Sequence, residues 1–175
     1  MYAKIILYIA QSIDGYIAAD DGSVDFLSCV EDEGEDYGYF DFYKSVDAVI
    51  MGANTYEQIL GFGEFPYPDK PCYVFTKREY PTHDHVEFVK DNPRDWIESR
   101  KQGDSKRYWL VGGSTLVRTF QNEGLIDEFI ISIVPTMLGF GIPLFQSHKT
   151  LDVFKLKDLK SYPTGLVQIV YEKND

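Results

Sequence analysis

The amino-acid sequence predicts an α/β fold with three layers, α/β/α, built on a mostly parallel central sheet with an antiparallel C-terminal edge. Up to Gln121, segments rich in β-branched and aromatic residues alternate with amphipathic segments. Two of these strand-like segments run through a glycine turn into a helix-like segment. From Asp127 onward, strand-forming segments follow one another with few helix signals, which predicts the antiparallel edge.

The composition favours a globular protein and disfavours nucleic acid as its partner. The chain has 175 residues, 44% of them hydrophobic, which predicts one domain over residues 1–175. Its 28 carboxylates exceed its 17 Lys and Arg residues, so nucleic acid is not an expected partner. The apolar run Ile5–Ala10 is far too short for a membrane span and lacks the flanks of a signal peptide. We therefore expect no membrane contact and a cytoplasmic location.

Cysteine and histidine spacing predicts no disulfide and no metal site. Cys29 and Cys72 do not form a CxxC pair. None of His83, His85 and His148 belongs to an HExxH or paired-histidine pattern of the kind that binds zinc.

The first elements are a strand, a long loop, a helix and a second strand. Lys4–Ala10 is rich in β-formers and predicts a buried strand. The segment Gln11–Glu33 predicts a loop whose length is more typical of function than of simple connection. Aromatic residues at a spacing of three over residues 37–43 predict a helix, and Val46–Met51 predicts the next strand.

A second helix follows the turn at Gly52, because Asn54 and Glu57 have the spacing of a capping box. A loop over residues 61–70 precedes two further strands, Cys72–Thr76 and Val86–Val89.

The next helix is predicted to begin at Asn92 and Pro93 and to end near Gln102, with asparagine at the cap. Arg107–Val111 then predicts a strand and Ser114–Gln121 a helix.

The C-terminal part is predicted to contain three strand-forming segments, Phe129–Val134, Leu151–Leu159 and Thr164–Glu172. The apolar loop Pro135–Pro143 between them fits a pocket lining or a subunit contact, and equally a packed corner.

Two glycine turns, at residues 51–55 and 111–115, are candidate phosphate sites. Glycine lets the backbone approach a ligand, and the following helix presents free N–H groups to an anion. The same pattern also arises from strand-to-helix packing alone. Neither turn matches GxGxxG or GxxxxGK[ST], so a standard Rossmann site and a P-loop are both disfavoured.

An acidic stretch runs from Asp20 to Asp36 without the residue order of an EF-hand, and its simplest interpretation is a solvated loop. Within it, Asp36 lies four residues before Phe40, so both are expected on one helix face. A carboxyl group surrounded by aromatic rings would have a raised pKa and could pass a proton near neutral pH.

In their order along the chain, these segments resemble the dihydrofolate reductase superfamily. The resemblance is strongest to the RibD C-terminal-like group, the reductase module of bacterial riboflavin biosynthesis. The matching stretches cover nearly the whole chain: residues 12–18 (SIDGYIA), 49–52 (VIMG) with 55–57 (TYE), 73–78 (YVFTKR), 110–114 (LVGGS), and the run from Ile126-Asp127-Glu128 through Pro135 and Leu138-Gly139 to Gly141 and Pro143-Leu144-Phe145.

The resemblance implies a dihydrofolate-reductase-like fold and a reductase that passes hydride from NADPH to a pterin-like or pyrimidine-like substrate. It also implies a homodimer. By position, Ala10 and Ile17 would border the nicotinamide, and Thr76, Lys77 and Arg78 would meet the adenosine 2′-phosphate. The pyrophosphate and neighbouring groups would contact residues of the two glycine turns: Gly52, Asn54, Thr55, Val111, Gly112, Gly113, Ser114 and Thr115.

The substrate residues implied by the same resemblance are Ile13, Asp36 and Phe40. Asp36 stands where the family keeps its substrate-binding carboxylate, and it is the candidate catalytic residue. Phe40 stands where the family keeps a ring-stacking aromatic residue.

Two departures from the family pattern affect specificity. Ala53 replaces the basic residue that usually follows the Met-Gly pair, so a preference for NADPH over NADH requires Lys77 or Arg78. Lys70 stands near the arginine that grips the glutamate tail of folate, and lysine cannot make that planar two-point contact. Two alternatives stay open: a non-catalytic nucleotide- or ligand-binding module, and a dimeric structural domain with degenerate pockets.

Overall fold

A computed structural model of the chain describes residues 3–101, 105–147 and 151–174. The strands in chain order are β1 (Lys4–Ser12), β2 (Tyr16–Ala18), β3 (Ala48–Gly52), β4 (Cys72–Phe75), β5 (Val86–Val89), β6 (Arg107–Gly112), β7 (Glu128–Val134), β8 (Ile142–Pro143), β9 (Phe154–Ser161) and β10 (Val167–Lys173). The α-helices are α1 (Tyr39–Ser45), α2 (Ala53–Leu60), α3 (Pro93–Lys101) and α4 (Ser114–Asn122), and a 3-10 helix spans Asp25–Val30.

The main sheet has eight strands in the order β5-β4-β3-β6-β1-β7-β10-β9. From β5 to β7 every neighbouring pair is parallel. Strand β10 then pairs antiparallel with β7, and β9 pairs antiparallel with β10. The predicted fold class, with its antiparallel C-terminal edge, is confirmed.

Helices cover both faces of the parallel part of the sheet. Consecutive residues of a strand point to opposite faces, so one strand contacts helices on both sides. In β3, Val49 packs in a cluster with Phe42 of α1 and Tyr56 of α2. The next residue, Ile50, packs on the other face with Phe120 of α4. Both β3 residues are fully buried. These contacts give the three predicted layers.

Two predicted loops contain short strands that pair with each other. Strand β2 lies within the long loop after β1, and β8 lies within the apolar loop after β7. They form a separate antiparallel two-stranded sheet. Strands of two or three residues carry too little periodic signal to be recognised before their partner is known.

The capping box predicted at Asn54 and Glu57 is wrong. Helix α2 begins at Ala53, its N-cap is Gly52, and no side chain caps it. The Glu57 carboxylate instead accepts hydrogen bonds from Arg78 and Tyr80. These longer-range donors, which the sequence spacing could not show, determine where the Glu57 side chain points.

The predicted cap of α3 is confirmed, because the Asn92 side-chain oxygen accepts the N–H of Arg94 at 2.9 Å. The predicted end near Gln102, and His148, lie outside the described residues. In the part of the chain that the structure describes, no helix has the length and apolar character needed to span a membrane. Nor do the described His, Cys, Asp and Glu residues form a group of three or more that could hold a metal ion.

Candidate functional site

A cleft of about 710 Å³ opens at the carboxyl ends of the parallel strands, the edge where open α/β sheets bind ligands. Both glycine turns reach it. Gly52 is the N-cap of α2, and Gly113 is the N-cap of α4. A Cβ built on Gly52 would lie 3.9 Å from the backbone nitrogen of Gly113, so the two helix N-termini are direct neighbours.

Neither helix N-terminus is capped by a side chain. The first N–H groups of a helix have no partner within it, and the helix dipole makes this end electropositive. Two such ends at one cleft favour an extended anion such as a pyrophosphate.

Most residues predicted to contact the cofactor line this cleft: Ala10, Ile17, Gly52, Asn54, Thr55, Val111, Gly113, Ser114 and Thr115. Gly112 lies between two of them in the chain. The glycine turns are therefore brought together with the end of β1, which the sequence could suggest only through the family resemblance.

The small sheet closes one side of the cleft. Ile17 of β2 and Ile142 of β8 line it, and their loops are joined through Asp14. The Asp14 carboxylate also accepts a hydrogen bond from the Ser12 hydroxyl at 2.6 Å. That hydroxyl in turn accepts the N–H of Tyr16, which fixes the start of β2.

The predicted 2′-phosphate residues stand outside the lining of the cleft within the described chain. The Arg78 guanidinium donates to the Glu57 carboxylate at 2.8 Å, and both side chains are largely exposed. Hydrogen bonds from Tyr80 and Arg78 lower the pKa of Glu57. Lys77 is exposed, and the Thr76 hydroxyl accepts the backbone N–H of Arg78 at 2.9 Å. Among the described residues that line the cleft, Asp21 alone is charged.

A second cavity of about 340 Å³ adjoins the cleft, since Ala10 and Leu27 line both. Its other described lining residues are Tyr8, Val30, Glu31, Asp32, Glu35, Asp36, Tyr37, Ser132, Val134 and Leu166. A ligand of the cleft and a ligand of this cavity would meet at Ala10.

Asp36 lines the second cavity, but the expectation of a raised pKa is wrong. Its carboxylate accepts the backbone N–H groups of Gly38 at 2.9 Å and Phe40 at 3.0 Å. These two bonds lower the pKa of Asp36 and outweigh its desolvation. Asp36 precedes α1 and binds its first turn, whereas the sequence placed it on the helix among aromatic rings.

Phe40 and Ile13 are not brought to the second cavity. Phe40 is 61% exposed and Ile13 is 59% exposed, and neither is among its lining residues in the described chain. The face that α1 buries carries Phe42, so Phe40 on the opposite side points to solvent.

Ser132 and Tyr8, two polar residues that the sequence reasoning missed, form the floor of the second cavity, and Gln168 contacts both without being among the described lining residues. Ser132 of β7 and Gln168 of β10 are each 6% exposed, and the Gln168 amide donates to the Ser132 hydroxyl at 3.1 Å. Tyr8 of β1 stacks on Phe42 with ring centroids 4.1 Å apart. Burial raises the pKa of Tyr8 to about 12, and the Gln168 side chain lies beside its hydroxyl. The sequence did carry a signal for these residues, because each is a polar side chain within an otherwise largely apolar strand: Tyr8 in β1, Ser132 in β7 and Gln168 in β10.

Such a sheet, with two helices that begin directly after glycine residues and meet at one cleft, is that of a dihydrofolate-reductase-like α/β protein. The chain belongs to the RibD C-terminal domain family, whose model matches residues 3–168.

Two relatives come from Bacillus subtilis (strain 168). The uncharacterized protein YwjB is 45% identical over 173 residues, with 98% of each chain covered. The uncharacterized protein YyaP is 33% identical over 183 residues, covering 98% of this chain and 95% of YyaP.

Solved structures share the fold. A Shewanella sp. PV-4 protein, described provisionally as a riboflavin biosynthesis protein, has a TM-score of 0.90 and 30% identity, with both chains covered fully. The deaminase/5-amino-6-(5-phosphoribosylamino)uracil reductase of Thermotoga maritima has a TM-score of 0.74 and 16% identity. This chain spans 57% of that protein's length.

Proposed function

We propose that this protein is a reductase that uses NADPH to reduce a pyrimidine-like or pterin-like heterocycle. One observation carries the proposal: two uncapped helix N-termini meet at a cleft that shares Ala10 with a second, adjoining cavity. A dinucleotide and a heterocycle placed in these two spaces would have their reacting ends side by side, as hydride transfer requires.

The residues of the cleft fit a dinucleotide. Its volume lies within the range of ligand sites in proteins, and the glycine turns leave the backbone open to phosphate. The N–H groups at Asn54, Thr55 and Thr115 would bind the pyrophosphate. When bound, the cofactor supplies the hydride, and Ile17 with Ala10 would border the nicotinamide and exclude water.

The adenosine 2′-phosphate would lie toward Thr76, Lys77 and Arg78. Lys77 is exposed and free to turn toward it. Arg78 would have to exchange Glu57 for the phosphate, which is a stronger partner for its planar guanidinium.

Asp36 would orient the substrate as an ionised acceptor. Because its pKa is lowered, it carries a charge at neutral pH and can accept N–H groups of a heterocycle. It is not suited to deliver the proton that accompanies hydride transfer.

Thermal unfolding with and without NADPH tests the cofactor part. We expect NADPH to raise the unfolding midpoint of the wild-type protein. Gly52→Ala should fold normally, since its new methyl would contact Leu116 at an ordinary 3.7 Å, but should lose most of the NADPH shift. Gly61→Ala, just after the other end of α2, is the control and should keep the shift. Absence of a shift in the wild-type protein would refute the proposal.

Consumption of NADPH with heterocycles distinguishes the reductase from the second candidate, a non-catalytic nucleotide-binding module. The lowered pKa of Asp36 favours the second candidate, because a reductase needs a proton donor and Asp36 is ionised at neutral pH. Binding of NADPH with no oxidation across uracil, pterin and flavin-precursor substrates would identify the module.

A further inference from the structure

We infer that the second cavity selects a heterocycle that carries N–H donors and lacks a phosphate or other anionic group. This inference rests on the proposed reductase function and specifies its substrate class. It comes from a difference within the cavity: the floor is polar but uncharged, whereas the rim is negatively charged.

The floor is a buried polar surface set among apolar walls. The Ser132 hydroxyl accepts one hydrogen bond from Gln168 and lines the cavity, so its own hydrogen can be donated to a ligand there. The Tyr8 hydroxyl lies beside the Gln168 amide on the same floor. Val30, Val134 and Leu166 form an apolar cluster around the cavity. A hydroxyl that is more than nine-tenths buried and still faces the cavity is held in place to donate to a ligand.

These groups match the edge of a flat heterocycle. A ring carbonyl or ring nitrogen could accept from Ser132 or Tyr8, while the apolar walls contact its faces. The cavity volume of about 340 Å³ suits one or two fused rings better than a larger ligand.

The rim carries only negative charge. Glu31, Asp32 and Glu35 are exposed there, and Asp36 lies beside them. No Lys or Arg is among the described lining residues. Lys44 of α1 acts on Asp36 electrostatically but does not line the cavity.

Among the described lining residues, a phosphate group at this rim would meet four carboxylates and no Lys or Arg. The formal charge of the chain, −11, adds to the repulsion. N–H donors or a positive charge on the ligand would instead be attracted. Discrimination by repulsion is a common source of specificity. The rim therefore argues against a phosphoribosyl substrate of the kind named for the Thermotoga maritima protein.

The test compares 5-amino-6-(5-phosphoribosylamino)uracil with the same compound without its phosphate, by calorimetric titration into protein saturated with NADP⁺. We expect the phosphate-free compound to bind at least about tenfold more tightly at low ionic strength, and the ratio to fall as salt is added. Equal or tighter binding of the phosphorylated compound would overturn the inference. So would the failure of both compounds to bind the cofactor-loaded protein.

A charge variant locates the effect. The triple substitution Glu31→Gln, Asp32→Asn and Glu35→Gln removes the exposed rim charges, leaves the floor intact, and should bring the two affinities to within about threefold.

The control triple substitution, Glu64→Gln, Asp84→Asn and Asp91→Asn, removes three exposed charges that are not among the cavity's lining residues and should leave the ratio unchanged. An equal effect of both variants would assign discrimination to the overall charge and refute a role for the rim. Loss of NADP⁺ binding itself would refute the reductase proposal instead, so the two failures are distinguishable.

Discussion

The carboxylate of Asp14 accepts the backbone N–H of Gly139 at 2.7 Å, and this bond joins the loop before β2 to the loop before β8. The N–H of Leu138 donates to the same carboxylate at 3.1 Å. Because β2 and β8 close one side of the cleft, Asp14 fixes the position of that wall.

Replacing Asp14 with alanine should weaken NADPH binding by about tenfold, since three hydrogen bonds that hold the wall are lost together. The measurement is the dissociation constant from fluorescence titration. Asp20→Ala, in the exposed turn after β2, is the matched control and should bind as the wild type does. Unchanged affinity in Asp14→Ala would show that the wall is positioned by β2–β8 pairing alone.

The same carboxylate predicts a pH dependence of stability. Hydrogen bonds to its ionised form lower the pKa of Asp14. The ionised group therefore stabilises the folded protein above its unfolded pKa of about 4, and this contribution is lost as the pH falls through the lowered pKa. The difference in unfolding free energy between wild type and Asp14→Ala should be constant above about pH 5 and shrink on acidification. A difference that grows on acidification would contradict this sign.

Glu57→Gln should increase the preference for NADPH over NADH. The substitution removes the charge that holds Arg78, so the guanidinium becomes available to the 2′-phosphate. We expect the ratio of the two dissociation constants to change by about threefold to tenfold in favour of NADPH. Glu79→Gln is the control: Glu79 directly follows Arg78 in the chain, and its carboxylate pairs with Lys90 instead. If neither variant changes the ratio, Arg78 is not a 2′-phosphate contact.

The order of the elements could be predicted from the sequence because their signals are local. Strand β3 and helix α3 illustrate this: apolar β-formers define the first, and the Asn92-Pro93 cap defines the start of the second. The small sheet could not be predicted, because β2 and β8 are held by each other and by Asp14 across more than a hundred residues.

The cleft at the two glycine turns could be predicted more fully than the second cavity. Glycine turns at helix N-termini act through the backbone, so their sequence pattern already describes their geometry. The second cavity depends on which side chains β1 and β7 turn toward it, and Tyr8 and Ser132 are ordinary strand residues in the sequence. Asp36 lines the second cavity, and its pKa depends on two backbone N–H groups that only the fold supplies.

Tyr8→Phe should lower turnover while leaving NADPH binding unchanged. Removing the hydroxyl deletes a polar group from the cavity floor and keeps the ring that stacks on Phe42, so stability should fall by no more than about 1 kcal/mol. We expect kcat to decrease by about tenfold or more, because the hydroxyl can no longer donate to the substrate.

Tyr43→Phe is the control for Tyr8, because it removes a hydroxyl that donates to Asp69, away from the cavity. Since the pKa of Tyr8 is raised to about 12, the hydroxyl stays protonated and its effect should not vary between about pH 6 and pH 9. Equal turnover in Tyr8→Phe and wild type would restrict Tyr8 to packing.

Asp36→Asn should lower turnover far more than it lowers NADPH affinity, because the carboxylate lines the cavity next to the cleft and not the cleft itself. Its lowered pKa also predicts the pH profile: a group ionised throughout the neutral range gives a kcat that is flat from about pH 5 to pH 8. The asparagine variant should therefore be reduced by the same factor at every pH in that interval. An acidic limb near neutral pH in the wild-type protein that disappears in Asp36→Asn would instead identify a protonated Asp36 as the proton donor, and would mean that substrate binding displaces the N–H groups of Gly38 and Phe40.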